Sequence, residues 1–183
     1  EVLYVGKTVT IRGGYTTTNW TTSDPDTNQT TLDGEDARRV VQVTGPVSPV
    51  IEGLHITGGS ASRGAGIHVD QAAPVLKDNL IEGNEAQGGG PFSAARGAGI
   101  YLNESLGSRL IRNTVAGNVA FASSAHGGGL YSQSSDAELR DNVFQDNEAH
   151  GVNSGNGAGL YLDRGDLSST GDVIVSNQGD YDG

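Results

Sequence analysis

The sequence predicts an all-β fold, a right-handed parallel β-helix of about six coils with three short strands in each, and two interleaved repeats carry that prediction. The first is a glycine-flanked strand: Gly64-Ala65-Gly66-Ile67-His68-Val69, Gly97-Ala98-Gly99-Ile100-Tyr101-Leu102, Gly127-Gly128-Gly129-Leu130-Tyr131-Ser132 and Gly157-Ala158-Gly159-Leu160-Tyr161-Leu162, at intervals of 33, 30 and 30 residues. The second reads Asn79-Leu-Ile-Glu-Gly-Asn84, Asn113-Thr-Val-Ala-Gly-Asn118, Asn142-Val-Phe-Gln-Asp-Asn147 and Asp172-Val-Ile-Val-Ser-Asn177. A fixed period of this length marks a solenoid, propeller or array, and the units are shorter than a propeller blade of about 40 residues. No segment between the repeats has the apolar spacing of a helix, so leucine-rich, ankyrin and tetratricopeptide arrays fit poorly. What remains is a chain wound so that each coil pairs with the next through parallel ladders about 4.8 Å apart.

Taken from the N-terminus, the chain opens on a strand at Glu1 to Val5, followed by Val9-Thr10-Ile11, which the spacing sets one coil before Val41-Gln42-Val43. Between them the polar run Thr16 to Gln29 reads as a protruding loop. Val41 sits 26 residues before Ile67, and Pro49-Val50-Ile51-Glu52-Gly53-Leu54-His55-Ile56 sits 25 before Pro74-Val75-Leu76 and its continuation. In the later coils Ile67 and Val69, then Leu76, then Ile81, or their counterparts, alternate with polar residues, the pattern of strands with one buried face. Gly, Asn and Asp separate the strands, as tight turns with positive φ require. The repeats are clearest over residues 63–177, and the coils share one axis, so residues 1–183 are expected to form a single domain. Neither end has a polar cap of the kind that shields a terminal coil, as expected of a segment of a longer protein or of ends that find partners.

The 183 residues include 29 glycines, 34% hydrophobic residues and a formal net charge of −11. That much glycine would argue for disorder if scattered, but it falls at fixed places in the repeat. A chain with a pI near 4.5 lacks the basic footprint of a partner for nucleic acid or anionic membrane. Without cysteine there is no disulfide framework and no thiolate metal site. No apolar run approaches about 18 residues, so this segment is not expected to insert into a membrane.

The paired signatures, with Phe144-Gln-Asp-Asn147 the fullest form of the second, resemble the polymorphic outer-membrane-protein repeat, whose short motifs are GGA followed by an aliphatic residue and FxxN. Val9-Thr-Ile-Arg-Gly-Gly-Tyr15, Thr31-Leu-Asp-Gly34 and Glu52-Gly-Leu-His-Ile-Thr-Gly-Gly59 look like the opening coils of large bacterial surface proteins of the pectate-lyase-like β-helix type. The resemblance implies an extracellular bacterial stalk, adhesin or passenger segment, because such repeats serve surface display. One departure stands out: the third motif position here is Gly and the middle is usually Ala, which points to a narrower subfamily.

Alternation along the first strand of each coil puts His68, Tyr101, Tyr131 and Tyr161 on the outer face in one line. Beside it Gly66, Gly99, Gly129 and Gly159 are expected to form a floor without side chains, with Arg63, Arg96, His126 and Asn156 ahead of it. Such a trough suits a glycan, since ring faces stack on sugars, open backbone offers hydrogen bonds and arginine pairs with uronates. Arg63, His68, Arg96, Tyr101, Tyr131 and Tyr161 are therefore the candidate ligand-binding residues. The same residues also have a purely structural use, tyrosines covering strand edges and glycines making turns. The segments Gln87 to Arg96, Val119 to His126 and Ala149 to Asn156 are expected to be loops that wall the line on one side. The second repeat gives two columns, Asn79, Asn113 and Asn142 with Asp172, and Asn84, Asn118, Asn147 and Asn177. Amides stacked coil on coil satisfy turn backbone that burial would leave unpaired.

No catalytic residue is assigned. The line after the first strand is Asp70, Asn103, Gln133 and Asp163, whose carboxylates lie three coils or about 14 Å apart, beyond the roughly 5–9.5 Å of a glycosidase pair. A β-eliminating lyase needs a Lys or Arg base beside calcium-binding acids, and the outer positions of the first strand carry neither. Lys77, Arg112 and Arg140 fall on the second strand. No cofactor is expected other than calcium, for which Asp24 and Asp26, or Asp33, Glu35 and Asp36, offer hard oxygen ligands without an EF-hand or nonapeptide pattern. The histidines His55, His68, His126 and His150 have no metal-binding spacing. Asn19, Asn28 and Asn103 begin N-x-S/T triplets, meaningful where the source glycosylates such sites.

The expected function is thus a non-catalytic extracellular or cell-surface stalk or adhesin segment, with glycans or other cell-surface components as partners. The alternatives are a glycan-binding module or polysaccharide-active enzyme fragment of the same fold, and a fibre subunit that stacks on itself end to end.

Overall fold

The computed structural model describes residues 1–90 and 92–181. It is a parallel β-solenoid of about five turns, and every element among the described residues is a strand. The first sheet stacks Leu3–Val5, Val41–Thr44, Ile67–Asp70, Ile100–Asn103, Leu130–Gln133 and Leu160–Asp163. The second stacks Thr10–Arg12, Val50–Glu52, Val75–Lys77, Leu106–Ile111, Asp136–Arg140 and Leu167–Thr170. The third is longer, with 11 strands. One part holds Thr30–Arg38, Leu54–Ala61, Leu80–Glu82, Thr114–Ala116, Val143–Gln145 and Val173–Val175. Leu54–Ala61 then joins these to Glu85–Gln87, Val119–His126, Glu148–Asn156 and Gln178–Tyr181, with Ala94–Arg96 alongside Val119–His126.

The structure departs from the sequence expectations at two places. The strand one coil before Val41 is Leu3–Val5, with Leu3 opposite Val41, whereas Thr10–Arg12 belongs to the second sheet opposite Val50–Glu52. Counting residues fails in the first coil because the loop from Thr16 to Gln29 lengthens it. The segments expected as walling loops are largely strands, since Val119–His126 and Glu148–Asn156 pair in register apart from a bulge between Ala122 and Ser124. Their Gly, Ser and Ala content serves close packing: Ala86, Ala95, Ala98, Ala120, Ala122, Ala125, Ala149 and Ala158 form a second, small-residue core. Pro91, within the first of these segments, lies outside the described residues.

Each later coil turns its corners on single residues in left-handed backbone. In the coil of Ile67 these are Gln71 (φ 56°), Asp78 (φ 53°) and Gly83 (φ 62°), with Gly64 (φ 54°) before the first strand. Polar residues tolerate the first two corners, as Glu104 and Arg112 do one coil on, because their side chains leave toward solvent. At the Gly64 corner, repeated at Gly97, Gly127 and Gly157, a β-carbon would run into the carbonyl of the strand's first residue, so glycine recurs without exception. Between corners, inward residues stack like on like: Ile51, Leu76, Leu110 and Leu139 from the second sheet meet Ile56, Ile81, Val115 and Phe144 from the third, all at most 1% exposed. The last coil is open, with Val173, Ile174 and Val175 at 46–57% exposure.

Candidate functional site

The first sheet carries the densest array of chemically capable side chains. Its register places Tyr4, Gln42, His68, Tyr101, Tyr131 and Tyr161 in one line, and Thr44, Asp70, Asn103, Gln133 and Asp163 in the line two residues on. Arg63, Arg96, His126 and Asn156 also fall in register with one another, one per coil. The sequence thus locates all three rows.

The rows do not make an open trough. Tyr101 and Tyr131 are only 1% and 2% exposed. Alternation does turn them away from the aliphatic core, but neighbours along and beside the row cover them. Tyr101 and Tyr131 stack at 5.5 Å between centroids, Tyr131 and Tyr161 at 5.1 Å, and His68 meets Tyr101 edge-on at 5.0 Å. The coil spacing of about 4.8 Å is what holds the rings at stacking distance, so Tyr131 lies between two rings and Tyr101 between Tyr131 and the edge-on His68. Arg96 lies over Tyr131 with its Cζ 5.4 Å from the centroid, and His126 packs 4.7 Å from Tyr161. The hydroxyls are used too: Tyr101 donates to Gln133 Oε1 at 2.5 Å and Tyr131 to Asp163 Oδ2 at 3.1 Å.

The expected glycine floor is also corrected. A β-carbon on Gly66, Gly99, Gly129 or Gly159 would press on the amide of Asn84, Asn118, Asn147 or Asn177, and on the first three it would also meet the next coil's carbonyl. These glycines therefore admit the asparagine column, and they do not face solvent as a ligand surface.

Burial sets the electrostatics of the row. It pushes the Tyr131 hydroxyl up to about 12, with the Asp163 hydrogen bond adding to the shift, and raises Tyr101 as well. It lowers His68 to about 4, helped by the positive Arg39 and Arg63 and opposed by Asp70. His126 is lowered by burial and by Arg96. Arg39 is a participant that sequence reasoning missed. It donates to the carbonyls of Gly64 and Arg63 at 3.0 Å each and to Gln42 at 2.7 Å. It stands two residues before its strand, where Arg63 and Arg96 stand four before theirs, so the repeat gave no signal for it.

The amide columns occupy two interior corners. Asn113 Nδ2 donates to Asn142 Oδ1 at 3.0 Å and to Leu76 O at 2.8 Å, while its own Oδ1 accepts from the backbone and side-chain nitrogens of Asn79. Asn118 repeats the pattern with Asn84, Ile81 and Asn147. The columns end at Asp172 and Asn177, which accept from Asn142 and Asn147.

Against this geometry stands one comparison that decides the family: the chain matches the model of the right handed beta helix region over residues 10–181. The chain belongs to that family. No curated protein and no solved structure matches it.

The remaining candidates are dispersed over this β-helix. Asp24 accepts from Thr27 N at 3.2 Å, Asp33 from Glu35 N at 2.7 Å, and Glu35 pairs with Arg38 at 2.6 Å. Asp26 instead lines a polar groove of about 680 Å³ with Pro25, Gln29, His55, Arg112 and Thr114. Asp36 takes a left-handed corner of its strand at φ 53°. Among the described residues no group of three or more acidic or histidine side chains has an arrangement that could hold a metal ion. Lys77 bridges to Glu52 at 3.2 Å and Arg112 grips Asp78 at 2.8 and 2.9 Å, each spanning successive coils. Arg140 lies 3.4 Å from Glu138, which also binds Arg109 one coil back at 2.8 Å. His55 sits 3.0 Å from Glu82, and His150 lies between Glu148 at 2.5 Å and Asp180 at 2.6 Å.

Proposed function

We propose that this β-helix is a non-catalytic segment of an extracellular or cell-surface protein, a stalk or adhesin element that holds its surface in a fixed, elongated array. One observation carries the reading. Many of the polar side chains on the outer faces are bonded to a residue one coil away: Tyr131 to Asp163, Asn103 to Asp70, Arg112 to Asp78 and Arg109 to Glu138. Groups paired in this way tie each coil to the next and stiffen the axis. The resemblance to polymorphic outer-membrane-protein repeats and to bacterial surface β-helices supports the location.

The test has two arms. Protease shaving of intact source cells, with detection of peptides from this chain, should release them. Assays of the purified chain on pectin, alginate, glucuronan and neutral glycans should show no new reducing ends and no unsaturated-uronate absorbance. A chain found only inside cells, or turnover lost on Asp70→Asn or Asp163→Asn, overturns the proposal.

A second reading, glycan binding, is favoured by the groove beside the loop of residues 16–29, where Asp26, Gln29, Asp78, Arg112 and Thr114 offer hydrogen bonds along about 680 Å³. Binding there, lost on Arg112→Ala and retained on Tyr131→Phe, would separate this groove from the covered aromatic row.

A further inference from the structure

Of the three N-x-S/T triplets, the fold treats each differently. Asn103 begins one on the first sheet, but its Nδ2 donates to Asp70 Oδ1 at 2.6 Å and Ser105 is 0% exposed. Asn28 begins another, half-buried at the foot of the loop, where the Thr30 hydroxyl oxygen receives Gly14 N at 3.0 Å. Asn19 begins the third, Asn19-Trp20-Thr21, at the exposed tip of the loop, and Trp20 is 73% exposed.

The Asn19 side chain is held in an Asx turn. Its Oδ1 accepts three hydrogen bonds, from Thr21 N at 3.0 Å, Thr21 Oγ1 at 2.9 Å and Thr22 N at 3.2 Å. No hydrogen bond from its Nδ2 is made among the described residues. Three donors on the amide oxygen draw electron density from the nitrogen, which makes its N–H the easier to deprotonate, and the Thr21 hydroxyl that a sequon requires is already on the amide. The loop is ordered around this turn, with Thr16 Oγ1 accepting Asn19 N at 2.9 Å and Ser23 Oγ donating to Gly13 O at 2.7 Å.

We propose that Asn19 is a site of N-glycosylation in the folded protein, whereas Asn28 and Asn103 are not. In the transfer, Asn19 Nδ2 bonds to the anomeric carbon of a glycosyl diphosphate-lipid donor. The C–O bond to the diphosphate breaks, the lipid diphosphate leaves with that electron pair, and the displaced Nδ2 proton goes to a base of the transferase. A glycan here projects from the loop beside the first coil and leaves the ladders untouched. Its occurrence in the natural source rests on the extracellular reading above; the acceptor competence of Asn19 does not.

The experiment uses the purified, folded chain with an oligosaccharyltransferase and a lipid-linked oligosaccharide, read by intact mass and peptide mapping. One glycan on the Asn19 peptide is expected, abolished in Asn19→Gln and Thr21→Val and retained in Thr21→Ser, with unchanged melting for all three. An unmodified folded chain, equal transfer to Asn103, or full transfer to Thr21→Val overturns the proposal. Because the assay uses purified protein, an intracellular location would sink the functional reading without altering its result.

Discussion

The asparagine columns and the aromatic column are each built from one residue per coil, yet they are stabilised in opposite ways. The columns of Asn113 and Asn118 put polar groups where the chain is most buried, and every amide is spent on a neighbouring coil or on backbone. The column of Tyr101 and Tyr131 puts large rings on the side of the sheet away from the core, and they are covered nonetheless. In the first case hydrogen-bond satisfaction decides, because a buried amide without partners costs about 1–3 kcal/mol for each group left bare. In the second the coil spacing decides, because it matches the distance at which rings stack. Repetition turns a marginal local arrangement into a continuous one.

The largest effect expected from breaking this pattern is at Asn118. Asn118→Ala removes the acceptor for both Asn84 N and Asn84 Nδ2, and the donor for Ile81 O and Asn147 Oδ1. With about 1–3 kcal/mol for each buried group left unpaired, the variant should lose much of its stability in chemical denaturation. Asn177→Ala, at the open coil, should cost clearly less. Equal losses at the two positions would mean that the column contributes by packing and not by its bonds.

Next come the two ring positions, which should behave alike. Phe144→Ala leaves a cavity in the aliphatic core and should cost about 3–5 kcal/mol. Tyr131 is expected from alternation to be an outer-face residue that tolerates truncation, but at 2% exposure between two stacked rings its loss should approach that of Phe144. Denaturant midpoints at unchanged m-value would measure both. A Tyr131→Ala variant as stable as the parent would show the rings to be uncovered in solution.

These positions mark what the residues reveal on their own. The period, the sheet assignment of Ile67 through Leu160 and the two amide columns are legible because a solenoid repeats its register, so that a match in one coil fixes the next. Exposure is not legible in the same way. Alternation gives the direction of Tyr101 from its own strand, but its cover comes from His68 one coil back and from Tyr131 and Gln133 one coil on. The glycines beside the row mislead for a related reason: a residue without a side chain signals either open surface or close approach, and only the position of Asn84 or Asn118 decides. The longer strands of the third sheet escape notice because their core is alanine, whose alternation with Ser and Gly is too weak to read as a buried face.

A pH series sharpens the contrast between two histidines. His68 has a folded pKa lowered to about 4 by burial, so the unfolded chain binds the proton more readily. Its contribution is fully present above the ordinary value of 6.5 and is lost as pH falls from there through about 4. His150 is raised by its Glu148 hydrogen bond and by Asp180. Its contribution is present below 6.5 and is lost as pH rises through the higher folded value. Melting temperatures of His68→Gln, which places at this position the residue of the preceding coil, should therefore fall less on acidification than those of the parent. His150→Gln should differ from the parent chiefly at pH 5–6, about a unit below its ordinary pKa, and converge with it under alkaline conditions. Reversal of either trend would place the imidazole outside the contacts described.

The smallest expected effect is at a single hydroxyl. Tyr131→Phe keeps the ring between Tyr101 and Tyr161 and removes only the donor to Asp163 Oδ2 at 3.1 Å. A hydrogen bond to a charged acceptor contributes about 1.5–3 kcal/mol when shielded, but Asp163 is partly exposed and regains water once the hydroxyl is gone, so the loss should fall nearer ~1 kcal/mol. The ratio of this loss to that of Tyr131→Ala then apportions the column between its stacking and its polar edge. If the Phe variant lost as much as the Ala variant, the hydroxyl-to-carboxylate chain would be what holds the coils together on this face, and the rings would be passengers. If it lost little, as expected, ring stacking at the coil spacing contributes most of the stability on this face, and the aromatic column is the apolar counterpart of the amide columns in the interior.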